Sequence, residues 1–84
     1  MKAYKQNIVD ALVVAAHESK IVSLKKIAKG VGIEWLESGD AREILSHAAK
    51  ATGYRMVKML RPGQRDAAAS LWEAVLMAPE VNFD

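Results

Sequence analysis

The chain reads as mainly α-helical, with a small β-hairpin admissible in its C-terminal half, and three observations predict this. Apolar residues recur at helical spacing in two separate stretches, 3–18 and 40–52. Glycines and helix-capping residues fall at the ends of such stretches. The intervening segments around Ile21-Val22 and 54–60 are short and carry β-type residues. Eighty-four residues make one domain, 1–84, whose stability should be about 4–13 kcal/mol at the usual yield per residue.

The first helix is predicted from Ala3 to Glu18, where Tyr4, Ile8, Leu12 and Ala15 form a stripe that Val9, Val13 and Ala16 widen. Ser19 and Lys20 break the pattern, and Ile21-Val22 can form a very short strand. Ser23 is an N-cap candidate, its hydroxyl free to accept from a backbone N–H of the first turn. The helix it opens, Leu24 to about Lys29, buries Leu24, Ile27 and Ala28 and turns Lys25, Lys26 and Lys29 outward. Gly30 and Gly32 end it, because glycine takes a left-handed C-terminal conformation at no steric cost.

Ile33 to Gly39 is a connection anchored by Trp35 and Leu36. Asp40 followed by Glu43 reads as a capping box opening a third helix. Ala41, Ile44, Leu45, Ala48 and Ala49 make its buried stripe, opposite a wet face of Arg42, Glu43, Ser46, His47 and Lys50. Gly53 is its stop. Residues 54–60 suit a strand, and the run from Arg61 through Pro62-Gly63 to Arg65 suits a turn. The Ala-rich run from Asp66 favours a C-terminal helix, 66–78, over a return strand containing Trp72. Pro79 ends it and leaves 79–84 as a frayed tail.

Charge is distributed unevenly. Residues 20–65 hold ten of the twelve Lys and Arg against four acids, whereas residues 66–84 hold four acids and no base. Basic charge concentrated on a compact helical unit is the footprint of a surface that docks on phosphates. The plainer account of the same charges is a solvated face that keeps the protein soluble. There is no Cys, which excludes disulfides and thiolate metal sites and fits a reducing cytoplasm. The longest wholly apolar run, Ala11 to Ala16, is too short to span a bilayer, and the N-terminus does not read as a signal peptide.

The stretch Leu24 to Ile33, with Ile27-Ala28 followed by Val31-Gly32, resembles the first helix and turn of helix-turn-helix proteins. The larger order, over residues 3–65, is similar to that of winged helix-turn-helix DNA-binding domains. The resemblance implies a compact helix-turn-helix or winged-helix-like bundle, with Ile21-Val22 as the short strand, Asp40 to Thr52 as the recognition helix and Pro62-Gly63 at the tip of a wing. It also implies that the helix enters a major groove, with Arg42, Ser46, His47 and Lys50 toward base edges or phosphates. Lys25, Lys26 and Lys29 would then clamp the flanking backbone, and Arg55, Lys58, Arg61 and Arg65 would track an adjacent groove.

The function expected on these grounds is binding of duplex DNA, sequence-specific or not. That suits a small prokaryotic, plasmid or phage transcription regulator or replication accessory factor working in the cytoplasm without cofactor. The competing expectation is a small helical adaptor or inhibitor that binds a protein through its acidic C-terminal helix. On that helix Ala68, Leu71, Trp72 and Val75 make one stripe and Leu76 and Met77 extend apolar surface around its side, more than packing on the core needs, which suits a homodimer contact through Leu71, Trp72 and Val75. Enzymatic chemistry has no support: His17 and His47 stand on separate helices without ligand spacing, the serines have no base arranged around them, and Gly30-Val31-Gly32 lacks the third glycine of a dinucleotide fingerprint. Trp35 and Trp72 are expected in the core, and Met56, Met59 and Met77 as gap-fillers.

Overall fold

A computed structural model describes residues 1–58 and 71–81. Three helices, α1 (Ala3–Glu18), α2 (Leu24–Gly30) and α3 (Ser38–Thr52), pack with strands β1 (Ile21–Ser23), β2 (Arg55–Val57) and β3 (Val75–Met77). The result is mainly α with a small antiparallel sheet, as the sequence predicts.

α1 buries Ile8, Val9, Leu12 and Ala16, the center of its predicted stripe, and its longest contact runs along α3. Its C-terminal carbonyls are closed from outside the helix. Tyr54 Oη lies 2.7 Å from the Ala16 carbonyl and 2.9 Å from that of Ser19, so one hydroxyl proton serves two acceptors. The Ser19 hydroxyl donates to the Ile21 carbonyl at 2.8 Å and turns the chain into β1.

Ser23 caps α2 as predicted, its hydroxyl accepting from the Lys26 amide at 3.3 Å. Leu24 and Ala28 are buried. At the other end Gly32 takes φ +88°, while the Ile33 amide returns to the Ala28 carbonyl at 2.9 Å. Leu36 pins the connection to the core. α3 buries Ala41, Ile44, Leu45 and Ala48 and stops at Gly53, φ +76°, whose amide reaches the Ala49 carbonyl at 2.8 Å.

The start of α3 differs from the capping box. The helix begins at Ser38, with Glu37 in the cap position and making no side-chain cap bond. Asp40 instead accepts from the Tyr4 hydroxyl at 2.9 Å and meets Lys5 Nζ at 3.0 Å. A charged donor arriving from α1 is a stronger partner for a carboxylate than a backbone amide.

The larger correction concerns the C-terminal helix expected over 66–78. In its described part, Leu71–Glu73 form a 3-10 turn and Val75–Met77 a strand. β3 is the middle strand, antiparallel to β1 (Ile21↔Met77, Ser23↔Val75) and to β2 (Arg55↔Met77, Val57↔Val75). Pairing on both edges leaves the N–H and C=O groups on neither side of the strand unpaired, and that tertiary gain overrides the helix preference of Leu and Met. The middle rung, Val22 and Leu76, faces the helices and joins the core cluster. β2 and β3 thus form the antiparallel pair of a hairpin; the expected wing tip at Pro62-Gly63 lies outside the described residues.

The first residues of the expected frayed tail are held. The Val81 amide donates to the Ala78 carbonyl at 3.0 Å, and its own carbonyl accepts from Arg55 Nη2 at 2.8 Å. Residues 82–84 lie outside the description.

Candidate nucleic-acid interface

α3 has two sharply different sides. Against its fully buried stripe stand Arg42, Glu43, Ser46, His47 and Lys50, all exposed, as the helical spacing predicts. Arg42 and Lys50 are its only bases and Asp40 and Glu43 its only acids, so its own formal charges cancel.

Both acids are drawn to one edge. Lys5 Nζ, on α1, lies 2.8 Å from Glu43 and 3.0 Å from Asp40. The Lys5 ammonium and then the Tyr4 hydroxyl hold the Asp40 carboxyl below its usual range. Lys5 does the same for Glu43. In return the two carboxylates, Glu43 foremost, raise Lys5, and the bond to Asp40 raises Tyr4. Lys5 reaches both because α1 packs lengthwise on α3 and presents positions 4 and 5 at the start of that helix. Sequence spacing contains no signal for this cluster, whose members are more than thirty residues apart.

The remaining expected contacts divide. Lys26 and Lys29 are exposed on α2. Lys25 turns instead to Glu73, 3.4 Å away. Arg55 bends across its own rung to Met77 Sδ, 3.7 Å, and the Val81 carbonyl, so its guanidinium is engaged in holding the C-terminal segment. Lys58 is exposed, while Arg61 and Arg65 lie outside the described residues. Among the described residues, then, Lys26, Lys29, Arg42, Lys50 and Lys58 are exposed cations of the expected set with no ion pair at hand.

The residues expected at a dimer contact are not on the surface. Leu71, Trp72 and Val75 are all buried, Leu71 and Trp72 within the main core cluster, so their apolar excess is consumed inside the domain. In 71–77, the described part of the helix expected for an adaptor, the chain forms a 3-10 turn and a strand instead, while 66–70 lie outside the described residues. The tryptophans also differ from expectation. Trp72 is buried, whereas Trp35 is 61% exposed and only edges onto it. Met77 is a buried gap-filler, Met56 is exposed at the sheet edge, and Met59 lies outside the description.

Among the described residues no group of three or more His, Asp or Glu side chains is placed to hold a metal, and no helix is long and apolar enough to cross a membrane. Element order and the sheet order β1-β3-β2 define a fold compatible with a winged helix-turn-helix shape. Comparison with protein-family models, with curated proteins and with solved structures found no match to the chain.

Proposed function

We propose that the protein binds duplex DNA through the exposed face of α3, and that it acts as a small cytoplasmic regulator or replication accessory factor by occupying its site. One observation carries this reading: α3 exposes Arg42, Ser46, His47 and Lys50 together while its acids are tied back to α1. A single helix of this kind fits the width of a major groove. Arg42 supplies the two-pronged donor suited to guanine or a phosphate, Lys50 a point charge for phosphate, and Ser46 and His47 shorter polar groups between them. Lys26 and Lys29, exposed on α2, and Lys58, exposed after β2, are the further cations available to phosphates.

Fluorescence anisotropy with an arbitrary duplex across a salt series tests this without knowledge of a target sequence. Neutralising about five phosphates gives a log–log salt slope of about −4.5. Lys26→Glu combined with Lys50→Glu should abolish binding. Absence of binding at low salt, or a slope near zero, would sink the reading. Binding that survives the double charge reversal would move the interface elsewhere.

A further inference from the structure

Resting on that reading, we infer that Lys5 is a positioning residue for the α3 face: it holds the Asp40 and Glu43 carboxylates on the α1 side of the helix and so keeps them out of the surface offered to phosphates. α3 carries as many acids as bases, so the placement of its two acids decides the charge its exposed face presents. Glu43 stands directly beside Arg42 in the chain and one turn before His47, on the rim of the exposed face. Released, its carboxylate can swing toward His47 or into the path of a phosphate.

The tether is built rather than incidental. Lys5 Nζ contacts both carboxylates at 3.0 Å or less, and its side chain is only 15% exposed. Tyr4, the preceding residue, fixes the second Asp40 oxygen at 2.9 Å, so Asp40 is held on both oxygens. α1 itself is immobilised by Ile8, Val9 and Leu12 in the core, which gives Lys5 a rigid base. Lys5 lies outside the basic stretch 20–65, which is why a search for DNA contacts by charge density passes over it.

The test is a double-mutant cycle read by anisotropy on an arbitrary duplex at low salt, comparing wild type, Lys5→Gln, Asp40→Asn/Glu43→Gln and the triple variant. Lys5→Gln should weaken binding by about tenfold, against about twofold for Lys20→Gln, which removes an equal charge from an exposed site whose acidic neighbour, Glu80 at 3.7 Å, is not on α3. In the Asp40→Asn/Glu43→Gln background, loss of Lys5 should cost no more than the Lys20 control. Lys5→Arg, which keeps the charge, should stay within about twofold of wild type. Equal losses from Lys5→Gln in both backgrounds overturn the inference, because a charge acting at a distance is additive and a tether is not.

A measurement on the unaltered protein keeps the question open to refutation if Lys5→Gln fails to fold. Carboxyl carbon chemical shifts, followed against pH, should show Asp40 and Glu43 titrating below the ordinary range both free and on DNA. Ordinary values for Asp40 and Glu43 in the free protein would mean that Lys5 does not hold them, and would overturn the tether. Wild type that does not bind at all ends the parent reading and this one together. Wild type that binds with a flat cycle ends this one alone.

Discussion

The buried ring of Trp72 meets the exposed ring of Trp35 at a centroid separation of 5.5 Å and an angle of 52°. The tilted geometry is among those aromatic pairs favour, and it joins the α2–α3 connection to the turn that precedes the central strand. The two indoles differ in what surrounds them. Trp72 sits in the main core cluster; Trp35 has one face on that cluster's edge and the rest in water.

Unequal consequences follow for the two truncations. Trp72→Ala should cost about 3–5 kcal/mol, the range for emptying a large aromatic site, and approach complete unfolding in a domain this small. Trp35→Ala should cost about 1 kcal/mol, the loss of one aromatic contact. Urea titrations measure both. Iodide quenching of tryptophan fluorescence should vanish in Trp35→Ala, and persistent quenching there would show that Trp72 is accessible.

The Lys5 cluster makes stability depend on pH at both ends. Asp40 and Glu43 have folded values below their unfolded ones, so their contribution is present above roughly pH 4 and is lost as pH falls through the folded values. Lys5 and Tyr4 have folded values above their unfolded ones, so theirs is present below roughly pH 10 and is lost as pH rises through the folded values. The melting temperature of wild type should therefore fall on both sides of neutrality. Lys5→Gln should be lower at pH 7 and should lose less on going from pH 5 to pH 2. Parallel acid limbs for the two proteins would show that the cluster is not what titrates.

What the sequence revealed and what it concealed divide along local and non-local causes. Ser23, Gly32 and Gly53 were legible because their roles depend on the few residues around them: a hydroxyl one turn before an amide, or a left-handed backbone position. The exposed face of α3 was legible for the same reason, since periodicity alone separates its two sides. β3 was not. Its residues sit in a composition that favours helix, and only pairing with β1 and β2, strands some fifty and twenty residues earlier, makes them extended. The spacing of Asp40 to Glu43 matches a local cap, while the partners that claim Asp40 lie on another helix. Charge alone groups Lys25 and Arg55 with the free cations, and only the fold shows their acceptors.

That division among the cations gives a further prediction. Lys26 and Lys50 are exposed without an ion pair among the described residues, so Lys26→Gln and Lys50→Gln should each reduce the magnitude of the DNA salt slope by about one. Lys25→Gln and Arg55→Gln should change it by clearly less, because their charges already serve Glu73 and the Val81 carbonyl. Arg55→Gln should act on the fold instead. It removes a charge-assisted but solvent-exposed bond, worth about 1 kcal/mol or less, here to the segment that follows the central strand. Amide hydrogen exchange should report that loss as faster exchange at Val81. A slope that falls by one for all four substitutions, with unchanged exchange at Val81, would mean that Arg55 leaves the C-terminal segment to contact the duplex.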